Sequence, residues 1–392
     1  MAMEFDGGLE GLSLNQSRKA NAAAVIRLLV RQGPLCRREM AESLGLTQSA
    51  LTRIVNRLLE LKIVEERTQD IVAAGRGRPQ VPVAMRPEAS TIMGFAIGVE
   101  HIICSIAGAD GSLLRMETVR YDRTSEGAVE AILEEYAQLS TELEEPVDGI
   151  GIVTDAWVDP QSGVIVNHPV NQWHNVALAE PIRAALGRDD LVIVVESVSR
   201  GLARSDVTFG ISGQTYDFLH VFGGNRLQVV SVMGGRLIAT RDGFGGDLAP
   251  FPIPGLGGKT VDDLLTDTGL FAGAQEELGL NEAKNLYDVI NVAREGTPRA
   301  QEAQNFMHTR AYYLGRILGA LCGVLRPDHV VVSSHMIPMQ NFAPDVHRGM
   351  KEVFTASDRV PDVLPGDSGP HALARASTAV ALEVLLLGWQ SV

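Results

Sequence analysis

Apolar residues recur at helical spacing near the start of the chain and gather into strand-like runs further on. Ala22, Val25, Ile26 and Leu29 share one face of a helix predicted from about Gln16 to Gln32, which Gly33-Pro34 stops. Met40, Ala41 and Leu44 mark the inner face of a second helix, from about Cys36 to the Leu44-Gly45 end. After the tight turn at Gly45-Leu46, Thr47 can cap a third helix, because its hydroxyl accepts from a free backbone N–H in the first turn. That helix, about Gln48 to Leu61, puts Leu51, Ile54, Val55, Leu58 and Leu61 on one face and Gln48, Ser49, Thr52, Arg53, Asn56 and Arg57 on the other. Ile63–Glu65 and Val81–Val83 then read as two strands of a hairpin, with AAGRGRPQ between them.

Near residue 90 the pattern changes. Ile92–Glu100, His101–Ala109 and Leu113–Tyr121 read as consecutive strands, followed by a helix (Glu126–Leu143), a strand (Gly149–Val153), a helix (Ala177–Leu186) and a strand (Leu191–Glu196). A second round begins with strands at Phe218–Phe222, Leu227–Met233 and Arg236–Thr240, then the long helix Phe306–Leu325 and the buried strand Val330–Ser334. Two rounds of strands then helices predict two α/β lobes, with a ligand cleft between them. The segment TAVALEVLLLGW reads as a buried helix; with Glu383 inside it, it is too short to span a bilayer. The expected divisions are a disordered arm over residues 1–14, a module of three helices and a hairpin over 15–88, a first lobe over 89–200 and a second lobe over 201–392.

Charge sharpens this division. The 392 residues carry a formal net charge of −14, which taken whole argues against nucleic acid. Yet residues 15–86 carry +7, residues 1–14 carry −3 and residues 87–392 carry −18. A basic module is joined to an acidic body. No Asp or Glu precedes Glu60 in the third helix, as a helix entering the major groove requires. Gln48, Ser49, Thr52 and Arg53 are placed to read bases, with capping Thr47 beside them, and Arg57 with Arg37 or Arg38 to hold phosphates. Arg76 and Arg78, flanked by Gly75, Gly77 and Pro79, suit a wing entering a narrow minor groove. The competing readings are a solvated polar face on a core helix and a loop with two incidental arginines. Cys36, Cys104 and Cys322 are too few and too scattered for a disulfide framework or a Cys-rich metal site, which fits a reducing cytoplasm. The acidic N-terminal stretch has no apolar core and reads as no signal peptide.

The order of winged helix–turn–helix, GRGRP wing and duplicated lobes resembles the ROK family (repressors, open reading frames, sugar kinases). It is most similar to the DNA-binding branch that holds the xylose and N-acetylglucosamine repressors. The resemblance runs over about residues 15 to 390, through NAAAVIRLLVRQGPLCRREMAESLGLTQSALTRIVNRLLELKIVEE, GFAIGVEHIICSIAGADGSLL, GIGIVTDAWVDPQSG, NQWHNVAL and LGRILGALCGVLRPDHVVVSS. It implies an α/β fold of duplicated actin-like ATPase (ribonuclease H-like) lobes behind the winged module. It also implies a repressor that works as a homodimer or dimer of dimers on double-stranded DNA and answers to a sugar-like effector.

The chain departs from the family pattern in ways that bear on chemistry. The first phosphate turn is Gly98-Val99-Glu100-His101, bulky and acidic where an anion would sit. Val198 stands where the kinases place a catalytic Asp, and cannot take a proton from a sugar hydroxyl. The second phosphate loop reads GGNRLQ, residues 223–228, with Arg226 and Leu227 where close backbone approach is needed. The family's zinc motif aligns with Asp247-Leu248-Ala249-Pro250 and residues 254–263, which contain no cysteine. The expectation is therefore no catalytic residue, no cofactor and no metal. For the effector, Asp155, Asn171, Trp173, Glu196 and Asp247 are the candidate contacts, with Trp173 either an aromatic floor or a core aromatic. His168 and His174 are read as structural. An ATP-dependent sugar kinase and a ligand-independent dimeric DNA-binding scaffold are the alternative functions.

Overall fold

The computed structural model describes residues 14–68, 80–210, 217–238, 245–253, 255–294, 298–339, 341–354 and 359–388. The chain opens with α1 (Leu14–Gln32), β1 (Leu35–Cys36), α2 (Arg37–Leu44), α3 (Gln48–Glu60), β2 (Val64–Glu66) and β3 (Pro82–Met85). Of the expected arm over 1–14, only Leu14 is among the described residues, and it begins α1. Gly45 ends α2 with φ of 63°, a left-handed cap whose N–H turns back to the carbonyls of Ala41 and Glu42. Two residues later the Thr47 hydroxyl accepts from the Ala50 N–H at 3.3 Å and starts α3. The turn is short because both ends are capped locally. Val25, Ile26, Leu29, Met40, Leu51, Val55, Leu58, Val64, Val83 and Met85 form the core beneath it. The strands lie one or two residues from their expected places, and β1, too short to show an alternation, joins them in the antiparallel order β1-β3-β2.

The first lobe contains β4 (Thr91–Ile97), β5 (His101–Gly108), β6 (Leu113–Arg120), α4 (Ser125–Ser140), β7 (Gly149–Thr154), β8 (Trp157–Val158), β9 (Ile165–His168), β10 (Trp173–Val176), α5 (Ala179–Leu186) and β11 (Val192–Ser197). Then α6 (Val198–Phe209) leads to β12 (Phe218–Gly223), β13 (Leu227–Met233), β14 (Arg236–Leu237), α7 (Val261–Leu265), α8 (Asp267–Leu278), α9 (Leu286–Arg294), α10 (Pro298–Leu325), β15 (His329–Ser334), α11 (Phe342–Lys351), β16 (Asp362–Pro365) and α12 (Pro370–Gly388).

The main sheets have orders β11-β7-β4-β5-β6 and β14-β13-β12-β15-β16. In each, an antiparallel meander is extended by two strands parallel to its first. Matching strand orders are what a duplicated ribonuclease H-like lobe requires. The small sheet β10-β9-β8, which sequence periodicity did not reveal, follows β7 in the chain.

Chain order and packing part company at the C-terminus. Residues 201–392 were expected to form the second lobe, but α12 crosses back and lies on the first sheet, against β4, β7 and β11. A Cβ on Gly151 would stand 1.8 Å from the Ser377 carbonyl oxygen, so only glycine admits this approach. Further along, Ala381, Leu382 and Leu386 enter the core of the winged module. The C-terminal apolar segment thus is a buried helix, shared between lobe and module. Among the described residues no helix is long and apolar enough to cross a membrane.

Candidate DNA-binding surface and interlobe cluster

The apolar stripe of α3 faces inward and leaves Gln48, Ser49, Thr52, Arg53, Asn56 and Arg57 exposed along one shallow surface. Within it the Thr52 hydroxyl donates back to the Gln48 carbonyl at 2.7 Å. Ser49 lies 3.3 Å from the Thr47 hydroxyl and extends the polar edge at the helix start. Arg53 makes no ion pair among the described residues and is exposed. Arg57 pairs with Glu60 at 3.3 Å and Arg38 with Glu42 at 2.7 Å, all of these side chains more than half exposed. Arg37 reaches Glu66 at 2.8 Å and ties α2 to β2. Exposed pairs of this kind are worth about 0–1 kcal/mol, so a phosphate can displace the carboxylate. Asn56, absent from the set assigned to bases and phosphates, completes the surface. Arg76 and Arg78 lie outside the described residues.

A second concentration of chemistry lies where the lobes meet. Asp155 follows β7, and Arg226 sits in the turn between β12 and β13, which the Gly224 N–H closes onto the Arg226 carbonyl at 3.0 Å. Arg226 is 4% exposed, and its guanidinium lies 3.7 Å from the Trp157 ring centroid and approaches Asp247 at 3.7 Å. Burial pushes the Asp155 carboxyl up to about 6, against the pull of Arg226 and with a push from Asp267. Burial lowers Arg226 in turn, with Asp155 and Asp247 opposing.

Around this pair several buried polar atoms have no hydrogen-bond partner among the described residues: Asp155 Oδ1, Asn167 Oδ1, His168 Nε2, Asn171 Oδ1, Gln228 Oε1 and all three guanidinium nitrogens of Arg226. Strand pairing brings them close: Asn167 opposes Trp157, and Gln228 bridges to Asp247. Burial drops His168 to about 4, so its ring is neutral. Buried donors and acceptors left open in one place are the mark of a site that a polar ligand or water completes.

Two expected effector contacts lie elsewhere. Trp173 is 5% exposed in the first-lobe core; its indole N–H donates to the Arg123 carbonyl at 2.9 Å, and its ring edges onto His168 and Tyr121. It is a core aromatic, and the ring in the cleft is Trp157. Glu196 is 4% exposed and bonds Arg200 at 2.9 Å, with Arg204 at 3.8 Å, while Arg204 also pairs with Glu383 of α12. It ties β11 to α6, and Arg204 carries the link on to α12. Asn171 is held by Tyr121, its Nδ2 donating at 2.6 Å, with its Oδ1 left open. Asp155, Asn171 and Asp247 therefore remain from the expected set, and Arg226, Trp157, Asn167 and Gln228 join them. In the sequence an arginine in a turn between two apolar strands reads as an exposed residue, so only its burial in the fold marks it.

The kinase and zinc positions follow the residues present. Val198 is a buried first residue of α6, with no carboxylate at that position. Among the described residues no group of three or more His, Cys, Asp or Glu could hold a metal ion. The loop that would carry zinc is held by its own backbone. The Ile253 N–H donates to the Lys259 carbonyl at 2.8 Å, Val261 to Phe251 at 2.9 Å and Asp262 to Ala249 at 3.0 Å. Thr260 and Asp263 cap α7 reciprocally.

A sugar-kinase fold fronted by a winged helix–turn–helix defines a class of regulator. The family model for the ROK family matches residues 92–383, and the chain belongs to that family. A transcriptional regulator of Mycobacterium tuberculosis is 27% identical over 88% of this chain and 80% of its own length. The xylose repressor of Bacillus subtilis is 21% identical over 94% of this chain and 96% of its own. Among solved structures, a ROK family transcriptional regulator, a homolog of the Escherichia coli MLC protein, superposes with a TM-score of 0.76 at 18% identity, covering 95% of this chain and 98% of that one. A ROK family glucokinase from Streptomyces griseus, in complex with glucose and AMPPNP, superposes with a TM-score of 0.64 at 18% identity, over 75% of this chain and 100% of its own. The lobes are thus a fold common to regulators and kinases, and function has to be argued from the sites.

Proposed function

We propose that this protein is a sequence-specific DNA-binding transcriptional regulator, a repressor, that uses α3 in the major groove and the following wing in the flanking minor groove. The observation that carries the reading is the exposed face of α3. It presents Gln48, Ser49, Thr52, Arg53, Asn56 and Arg57 without an acidic side chain before Glu60, on a module of charge +7. Gln48, Ser49, Thr52 and Arg53 read base edges, Arg57, Arg37 and Arg38 hold phosphates, and Arg76 and Arg78 enter the minor groove. A homodimer presents two such helices to half-sites on one face of the duplex.

In this reading the interlobe cluster of Asp155, Asn171, Arg226 and Asp247 takes a sugar-like effector. Hydroxyls both donate and accept, which matches a set of open donors and acceptors. The xylose repressor among the relatives supports a sugar as the ligand class. Phosphoryl transfer forms no part of the reading, because Val198 offers no base. Selection of bound fragments from genomic DNA at moderate salt, followed by gel shift, tests the function. The expected result is a discrete motif whose binding weakens steeply as salt rises. Binding without sequence preference would overturn it, and phosphate transfer from ATP to glucose would restore the enzymatic alternative.

A further inference from the structure

A cavity of about 270 Å³ opens between the lobes, and its walls do not include Asp155, Arg226 or Asp247. Ile103 of β5, Leu202 of α6, Phe222 of β12, and Ala372 and Leu373 in the first turn of α12 make much of its surface apolar. Most polar groups around it are already engaged. The Ser334 hydroxyl accepts from the Met336 N–H at 3.2 Å, and Asp367 pairs with Arg375 at 3.1 Å. His335 is held between Asp267 at 3.0 Å and the Tyr287 hydroxyl at 2.9 Å.

Ser333 differs. It is 2% exposed, sits opposite Phe222 in the sheet register, and its hydroxyl has no partner among the described residues. A buried hydroxyl left open beside apolar walls costs stability unless something completes it. No Lys or Arg lines the cavity among the described residues, so a phosphate or carboxylate would find no free counter-charge. The chemistry that fits is an apolar body with one hydrogen-bonding group and no charge.

The position of the cavity adds a consequence. Its wall includes the first turn of α12, and that helix then runs over the first sheet into the winged module, where Ala381, Leu382 and Leu386 pack with Val25, Ile26 and Leu29. Close packing along this path leaves little room to absorb a shift at one end. We propose that this cavity is a second regulatory site, taking a small uncharged ring compound with one hydroxyl or carbonyl oxygen, and that α12 carries its occupancy to the DNA-binding module. The ring lies against Phe222 and Leu373 and the oxygen meets Ser333. Only the output of this site rests on the regulator reading above; binding does not.

Ligand-observed NMR on the full chain tests the site with three probes: benzyl alcohol, toluene and AMP. Benzyl alcohol is expected to bind more tightly than toluene. Ser333→Ala is expected to weaken benzyl alcohol roughly 3- to 10-fold while leaving toluene unchanged. Equal binding of the two neutral probes, no effect of Ser333→Ala, or displacement of benzyl alcohol by AMP would overturn the assigned chemistry. Operator titrations with and without saturating benzyl alcohol test the transmission. A change of about threefold or more in Kd supports it, and an unchanged Kd rejects it. Leu373→Phe, which fills the cavity from α12, is expected to mimic the probe. Operator binding by the wild-type chain alone, without any probe, checks the regulator reading separately.

Discussion

The outer face of α3 and the cluster around Arg226 are both polar, yet they are built in opposite ways. On α3 the polar side chains are exposed, every fourth residue or so turns inward, and water satisfies what the protein does not. Arg226 is 4% exposed, its guanidinium between two carboxylates and over an indole, and open polar atoms surround it. The first surface is hydrated and can exchange that water for a polar partner without disturbing the core. The second is withdrawn from water and keeps polar atoms without a partner among the described residues. Substitution should therefore touch function alone in one region and stability first in the other.

The largest effect is expected from Arg226→Ala. It leaves Asp155 and Asp247 without their buried counter-charge, and should cost about 3 kcal/mol in chemical denaturation. If stability is unchanged, the cluster is better hydrated than its burial implies. Next is Arg53→Ala, expected to cost about 1–3 kcal/mol in operator affinity and relax specificity at one base pair, with Tm unmoved. A drop in Tm comparable to that of Arg226→Ala would erase the contrast between the two regions.

Asp155→Asn sharpens the comparison through pH. The folded carboxyl titrates at about 6 against an ordinary 3.8, so its protonated form is the one that folding favours. Its contribution is whole below about 3.8 and is lost as pH rises through about 6. The wild type should thus lose roughly 1–3 kcal/mol relative to Asp155→Asn between pH 4 and pH 7, seen as converging denaturation midpoints on acidification. A difference that stays flat across that range would remove the raised carboxyl from the account. The smallest effect is expected from Thr47→Ala, which loses the α3 cap and about 1 kcal/mol of stability, measured by thermal unfolding.

The winged module was legible because its signals are local. Gly45, Thr47 and the period of Leu51, Val55 and Leu58 act within a few residues of each other, and the helices formed within a residue or two of their expected ends. The strands of both lobes were readable for the same reason, since buried strands are written as short apolar runs. The residues of the interlobe cluster were not. Trp173 and Trp157 are sixteen positions apart and equally apolar in sequence, and only the hairpin of β9 and β10 decides that one is buried in the core while the other faces Arg226. Glu196 offered acceptor chemistry, but whether that acceptor meets a ligand or Arg200 depends on how α6 leaves β11.

By itself, then, the sequence determined a basic N-terminal module, an acidic body with two rounds of strands and helices, and a valine rather than a carboxylate at position 198. Each is a matter of residue type or of spacing within one element. The tertiary structure alone decided that α12 returns to the first sheet and reaches the core of the winged module, and that Arg226 gathers Asp155 and Asp247 from distant loops. These depend on contacts between segments far apart in the chain, where burial and charge take their value from neighbours that no local pattern names.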